Sequence, residues 1–174
     1  MNMITTISAI AAAVAFLLFV FAMLYAAVSD VTTYKIRNNI VLTLLLAYLA
    51  LAPIVGFTVH EIGRSFAVAG IVLLCTFALF AAGLIGGGDA KLAAVTALWL
   101  GADHTLAYLL LLALVGGVFA IVVSLWRMRP LPEQLARRAW ITRLHARGET
   151  AKLPYGVAIT LAALCVLPST PWMI

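Results

Sequence analysis

The chain alternates long apolar stretches with short polar ones. Six stretches carry almost no charge, and a helix needs about 20 apolar residues to cross a bilayer. The apolar runs are unbroken, whereas strands of a membrane β-barrel alternate between apolar and polar positions. The pattern therefore predicts an all-α protein with six transmembrane helices. The predicted spans are 7–28, 40–59, 65–85, 90–102, 105–126 and 153–174.

The composition agrees with an integral membrane protein. Hydrophobic residues make up 66% of the 174 residues and charged residues 10%, against about 25% charged residues in a soluble domain. Six spans with short connections use nearly the whole length, so we expect one transmembrane domain over residues 1–174. The first six residues contain no Lys or Arg, unlike the basic start of a secretory signal. The first span is therefore expected to be retained.

Basic residues are distributed unevenly between the two sides of this topology. The first, third and fifth connections hold ten of the eleven Lys and Arg residues, and Arg64 is the exception. Under the positive-inside rule, this bias places those connections in the cytoplasm and the N-terminus outside. Topology thereby explains the net charge of +5, and we expect no nucleic-acid partner.

The fifth connection, residues 127–152, carries seven basic residues. Its apolar residues recur at helical spacing on one face, which predicts a basic amphipathic helix at the cytoplasmic membrane surface. The simplest partner for this segment is the anionic head groups of membrane lipids. Docking of a substrate is the alternative. The apolar positions are Leu135, Ala136, Ala139, Trp140 and Leu144.

An acidic residue follows three glycines at the start of the fourth span. Each glycine costs about 1 kcal/mol of helix propensity relative to alanine, but it lets another helix approach closely. From Asp89 to Asp103 is 14 residues, about 21 Å of helix, in a bilayer core about 30 Å thick. If Asp103 marks the outer surface, Asp89 lies at a depth where an ionisable residue indicates function. The stretch is Gly86-Gly87-Gly88-Asp89-Ala90-Lys91.

Asp30 is the acidic residue best placed to act with Asp89, because both lie at cytoplasmic helix ends. The first span has 22 residues, about 33 Å, so Asp30 is expected at the membrane edge and Asp89 deeper. Two carboxylates in a low-dielectric site cannot both ionise readily, and such a pair can activate water against a peptide carbonyl group. This chemistry needs neither metal nor cofactor. Cys75 and Cys165 stand singly in apolar stretches, so the sequence holds no Cys-x-x-Cys metal site.

These residues resemble the motifs of a known family. Gly86-Gly87-Gly88-Asp89 matches the Gly-x-Gly-Asp signature of membrane aspartic proteases. Asp30 followed by Lys35-Ile36-Arg37-Asn38 is similar to the first-aspartate loop of type IV prepilin peptidases. Lys152-Leu153-Pro154-Tyr155-Gly156 resembles their Pro-Tyr/Phe-Gly element. The short chain is most similar to the Tad/Flp pilus prepilin peptidases, and it lacks the paired cysteines of the large bifunctional members.

The resemblance implies an intramembrane aspartic endopeptidase of the bacterial inner membrane. It would remove the leader peptide from Flp-type prepilins or pseudopilins at the cytoplasmic face, after a glycine. Asp30 and Asp89 would be the catalytic pair, and Gly86, Gly87 and Gly88 would support their backbone. The residues expected to tune the site or contact substrate are Lys35, Arg37, Asn38, Lys91, Pro154, Tyr155 and Gly156.

Simpler roles are also open for these residues. Asp89 could cap the fourth helix, and the glycines could serve helix packing. Asp30 could pair with Lys35 or Arg37. Lys91 could snorkel to the surface, tune the catalytic pair or meet an acidic residue of the substrate. The alternative function is a non-enzymatic transport or assembly subunit whose intramembrane acids handle protons or ions.

Overall fold

The computed structural model describes residues 3–146 and 153–173. Regular secondary structure in these two ranges is entirely helical, as the apolar pattern predicts. Short 3-10 turns at Leu167–Ser169 and Pro171–Met173 follow the last α-helix. The α-helices are α1 (Met3–Thr33), α2 (Asn38–Val55), α3 (Val59–Ala81), α4 (Gly87–Leu100), α5 (Ala102–Arg127), α6 (Glu133–Ala136), α7 (Ala139–Leu144) and α8 (Tyr155–Val166).

Within the described ranges, four helices are long and apolar enough to cross a membrane, namely α1, α2, α3 and α5. Their most apolar windows have mean hydropathies between 1.9 and 2.8, and at most 28% of any window is buried inside the protein. Most of these apolar side chains therefore point outward, which is favourable in lipid and not in water. The chain is a multi-pass membrane protein. Because α4 and α8 have only 14 and 12 residues, the six-span topology and its orientation stay predictions.

α4 is the central helix of the bundle. It packs most extensively against α3 and also contacts α2, α5 and α8. Every residue from Leu92 to Leu100 is buried. Small side chains such as Ala93 and Ala97 let the neighbouring helices approach closely. The helix that begins with the glycine-acid stretch is therefore held on all sides.

Aromatic side chains hold α4 at its C-terminal end. The Trp99 ring centroid lies 5.1 Å from that of Phe19 and 4.8 Å from that of Trp172. Tyr48 packs edge-on against both tryptophans. Trp99 Nε1 donates to Leu44 O at 2.9 Å, and Trp172 Nε1 donates to Trp99 O at 2.7 Å. Because aromatic contacts add about 0.5–1.5 kcal/mol each beyond burial, this cluster ties α4 firmly to α1, α2 and the C-terminal turns.

Helix boundaries differ from the sequence prediction at α3 and α1. The predicted third span begins at residue 65, but α3 begins at Val59 because Thr58 and Glu61 form a capping box. Glu61 N–H donates to Thr58 Oγ1 at 3.2 Å, and Thr58 N–H donates to Glu61 Oε2 at 2.7 Å. α1 continues past the predicted end at residue 28 to Thr33, and threonine hydroxyls in its last turn donate to backbone carbonyl groups one turn earlier. Asp30 consequently lies inside α1.

Within its described part, the basic segment forms two short helices instead of the single amphipathic helix that its apolar spacing predicts. Arg138, between α6 and α7, has extended backbone (φ −96°, ψ 111°), which interrupts the helix. The break lets α7 bury Ile141 and contact α1. Arg127 Nε donates to Leu144 O at 2.7 Å, so α7 folds back onto the end of α5. Residues 147–152 lie outside the described ranges, and lipid binding by this segment stays a prediction.

Candidate active site

Asp30 lies in the last turn of α1, with only 5% of its surface exposed. Its Oδ2 accepts a hydrogen bond of 2.7 Å from the backbone N–H of Gly156, at the start of α8. A Cβ on Gly156 would lie 2.9 Å from this oxygen, so the contact requires glycine. A helix start offers free N–H groups and a positive dipole end to an anion. Among the described residues, α8 thus holds this carboxyl group, and neither Lys35 nor Arg37 forms an ion pair with it.

Asp89 lies in the first turn of α4. Its Oδ2 accepts a hydrogen bond of 3.2 Å from the N–H of Gly86, the N-cap residue, so the carboxyl group does cap its own helix. The other oxygen, Oδ1, is buried and has no hydrogen-bond partner in the described part of the chain. Leaving a buried acceptor unpaired costs about 1–3 kcal/mol. Capping therefore accounts for one oxygen, and the second is available to water or a substrate.

The glycines before Asp89 permit contacts that bring the start of α4 towards α1. A Cβ on Gly87 would lie 3.2 Å from the Phe80 ring, and a Cβ on Gly88 would lie 3.0 Å from Ile36 Cβ. Ile36 belongs to the connection that leaves α1, so Gly88 packs α4 directly against the chain beyond the first aspartate. This packing draws the start of α4 towards the end of α1, although helix lengths predict different depths for the two acids.

Asp30 and Asp89 line the same cavity, which has a volume of about 800 Å³. Tyr34, Lys35 and Tyr155 also line it. Ligand-binding cavities in proteins typically measure about 300–1,000 Å³. Asp30 and Asp89 are the acidic residues among the described residues of this lining. The structure thus brings together the two acids that the sequence pairs.

A second cavity of about 280 Å³ lies between α3, α4, α5 and α8, and its lining is mainly apolar. It shares Ile85, Asp89 and Tyr155 with the first cavity. Gly117 of α5 also lines it, and a Cβ there would meet no described atom within 4 Å. Asp89 therefore borders both a polar cavity and an apolar space between helices.

The remaining predicted site residues divide into two groups. Lys91 Nζ donates to Asn38 Oδ1 at 3.2 Å, and both side chains are exposed and outside the cavity lining. Arg37, the N-cap residue of α2, lines a separate surface depression beside Tyr25. These side chains lie away from the two acids. The predicted residues that line the cavity or bond to its acids are Lys35, Tyr155 and Gly156, and Pro154 is buried at the start of α8.

Tyr34 is a cavity residue that the sequence motifs do not single out. It follows the last residue of α1, and its backbone is left-handed (φ 54°), which costs a non-glycine residue about 1 kcal/mol or more. Its N–H donates to Asp30 O at 2.8 Å, and Ser29 Oγ donates to Lys35 O at 2.9 Å. The signal available in the sequence is an aromatic residue only four positions after the acid.

The Tyr34 hydroxyl is buried and has no hydrogen-bond partner within the described ranges. Burial raises the pKa of this phenol above its ordinary value, the positive charge of Arg127 offsets part of the rise, Asp30 adds to it, and Arg143 lowers it again. The phenol is therefore protonated at neutral pH and can donate a hydrogen bond.

The family comparison agrees with the motifs. The model of the type IV leader peptidase family matches residues 17–121, which is more than half of the chain. Asp30, Asp89 and the glycines before Asp89 lie inside this range. No curated protein and no solved structure matches the chain. The resemblance inferred from the motifs is confirmed, and the chain belongs to the type IV leader peptidase family.

Proposed function

We propose that the chain is an aspartic endopeptidase that removes the leader peptide from Flp-type prepilins or pseudopilins. Family membership implies a prepilin leader peptidase. The catalytic pair is Asp30 and Asp89. The observation that carries this assignment is that Asp30 of α1 and Asp89 of α4 line one cavity of substrate size.

The pair shares one proton, because two like charges repel in a low-dielectric site. The ionised carboxylate takes a proton from water, and the water oxygen bonds to the scissile carbonyl carbon. The protonated carboxyl group gives its proton to the carbonyl oxygen, which yields a gem-diol. In the second step, one carboxyl group protonates the amide nitrogen while the other removes a proton from the diol. The C–N bond breaks, and the pair again holds one proton.

Backbone N–H groups orient both carboxyl groups for this chemistry. Gly156 N–H binds one oxygen of Asp30, and Gly86 N–H binds one oxygen of Asp89. These contacts leave the second oxygen of each group to act on water and substrate. Reacting groups that are already oriented lower the barrier, because little reorganisation is needed during the reaction.

We place the site at the cytoplasmic face of the bacterial inner membrane, in a six-span protein with its N-terminus outside. The charge bias supports this orientation, and the place of the cavity supports access from water. The connections on the side of Asp30 and Asp89 hold ten of the eleven Lys and Arg residues. The described residues that line the shared cavity all come from helix ends or connections, so the cavity lies at an end of the bundle, where a leader peptide can enter from water.

The apolar cavity beside Asp89 supports a membrane-inserted substrate. Apolar side chains of such a substrate could occupy the space next to Gly117 while its scissile bond lies at the two acids. Anionic lipids would bind the basic segment, as its charge predicts.

Cleavage is expected to continue in excess EDTA and after thiol alkylation, because the proposed pair activates water without a metal or a cysteine. The purified protein in lipid nanodiscs would be mixed with an Flp-type prepilin, and the product masses would locate the cut after a glycine. A prepilin of another pilus class tests the Flp-type preference. Loss of cleavage in EDTA would contradict the aspartic mechanism. Absence of a shortened pilin with the wild-type chain would contradict the leader-peptidase function.

Lys91→Met is expected to lower the cleavage rate by no more than about threefold, because exposed polar contacts contribute little. The Lys91 ammonium group contacts exposed Asn38 and neither acid. Asn38→Ala removes the same contact from the other side and should have an equally small effect. The prepilin assay measures both rates. A loss of more than about tenfold for Lys91→Met alone would support the tuning or substrate-binding role.

A further inference from the structure

The turn after α1 holds Tyr34 in a conformation that its residue type disfavours. Tyr34 occupies the left-handed position that closes a helix, where glycine is the usual residue. Hydrogen bonds from Ser29, Thr33 and Tyr34 to nearby backbone carbonyl groups fix this turn. Since glycine would fit this backbone without strain, the presence of tyrosine indicates that the side chain is needed.

The Tyr34 side chain lies in the wall that contains both acids. Its hydroxyl is buried, and no group in the described ranges accepts its hydrogen bond. The buried hydroxyls of Tyr48 and Tyr108 also lack a partner in the described part of the chain, but neither residue lines this cavity. The backbone carbonyl oxygen of Asp30 already accepts a hydrogen bond from the Tyr34 N–H. Among the described residues, Tyr34 thus combines an unpaired buried hydroxyl with a place in the wall of the cavity that both acids line.

We propose that Tyr34 is a third catalytic residue, whose phenol donates a hydrogen bond to the scissile carbonyl oxygen. This inference rests on the proposed peptidase function. When the water oxygen bonds to the carbonyl carbon, the C=O bond becomes a single bond and its electron pair moves onto the oxygen. The Tyr34 hydrogen bond strengthens as this charge develops, and the phenol keeps its proton. The nearby positive charges of Arg127 and Arg143 favour the same build-up of negative charge.

Tyr34→Phe tests this role, because it removes only the hydroxyl and keeps the ring. Removal of one such donor lowers kcat by about 10²–10³-fold in a well-studied hydrolase. We expect a loss of that order in kcat for the prepilin, a KM within about twofold of wild type, and an unchanged thermal midpoint. A donor that acts only on the developing charge affects kcat and not substrate affinity. A packing defect would instead lower the midpoint.

Tyr108→Phe is the matched control. Tyr108 is fully buried and lies outside the cavity lining, so the same loss of a buried hydroxyl there should leave kcat within about twofold. As a second variant, 3-fluorotyrosine at position 34 keeps the hydroxyl and should retain at least about one third of wild-type kcat.

Each outcome is decisive. A Tyr34→Phe protein that cleaves within about threefold of wild type overturns the role of Tyr34 and leaves the aspartic peptidase standing, provided that cleavage still depends on Asp89. A loss that scales with a loss of folded protein, or that 3-fluorotyrosine does not reverse, also overturns it. If the wild-type chain does not cleave, the proposed function fails and this inference fails with it.

Discussion

Replacing Asp89 by asparagine is expected to reduce leader cleavage by about 10³-fold or more while the fold stays intact. The substitution keeps the size of the side chain, and the asparagine oxygen can still accept the N–H of Gly86. It removes the ability to take up and release a proton, which the mechanism requires of both acids. Initial rates of leader removal, normalised to folded protein, measure the effect. Asp30→Asn should lose a similar factor.

Asp103→Asn is the matched control for these variants. Asp103 is exposed and pairs with exposed Arg64 at 2.6 Å, a kind of contact worth about 0–1 kcal/mol. It lies at the start of α5, beyond the far end of α4, so cleavage should stay within about twofold of wild type. If Asp89→Asn retained more than about a tenth of wild-type cleavage, the catalytic pairing would be wrong. That result would favour the alternative function, in which the intramembrane acids handle protons or ions.

Gly156→Ala is expected to lower cleavage by at least about 10²-fold, because small displacements of a reacting group have effects of that size. The added Cβ would lie 2.9 Å from both Cβ and Oδ2 of Asp30 and 3.2 Å from its Cγ. α8 must move away, and Asp30 then loses the N–H that orients it. Overpacking of this kind costs about 1–3 kcal/mol, so the thermal midpoint should fall as well.

The control for this prediction is the same substitution at Gly70 in α3. A Cβ on Gly70 would meet no described atom within 4 Å, and alanine is favoured over glycine in a helix by about 1 kcal/mol. Gly70→Ala should cleave normally and unfold at the same or a higher temperature. Normal cleavage by Gly156→Ala would show that the contact between α8 and Asp30 is dispensable, and the proposed orientation of the acid would need revision.

The pairing of Asp30 with Asp89 was predictable, because the chain has only six acidic residues and these two lie at ends of predicted spans on the side that the charge bias makes cytoplasmic. That both residues line one cavity was not predictable from helix lengths. Helix-length arithmetic treats each span as a straight rod that ends where the apolar run ends. The contact of Gly88 with Ile36 and the extension of α1 to Thr33 depend on tertiary packing and on local hydrogen bonds, which apolar runs do not encode.

Other differences also have local causes. The Thr58-x-x-Glu61 capping box is readable in the sequence, so the true start of α3 was within reach. The interruption at Arg138 could not be read from the sequence. The apolar spacing favours one continuous helix, whereas burial of Ile141 against the bundle depends on tertiary packing. The left-handed backbone of Tyr34 was also not predictable, because glycine and not tyrosine is the usual residue in that conformation.

The stacked indoles of Trp99 and Trp172, with centroids 4.8 Å apart and planes inclined by 30°, have a spectroscopic consequence. Two chromophores at this separation couple electronically, and their absorption bands split into an exciton couplet in circular dichroism. Trp99 shares α4 with Asp89, whereas Trp172 belongs to the C-terminal turns. The couplet therefore reports whether the helix that carries the acid is seated against those turns, and it does so without a label or a substrate.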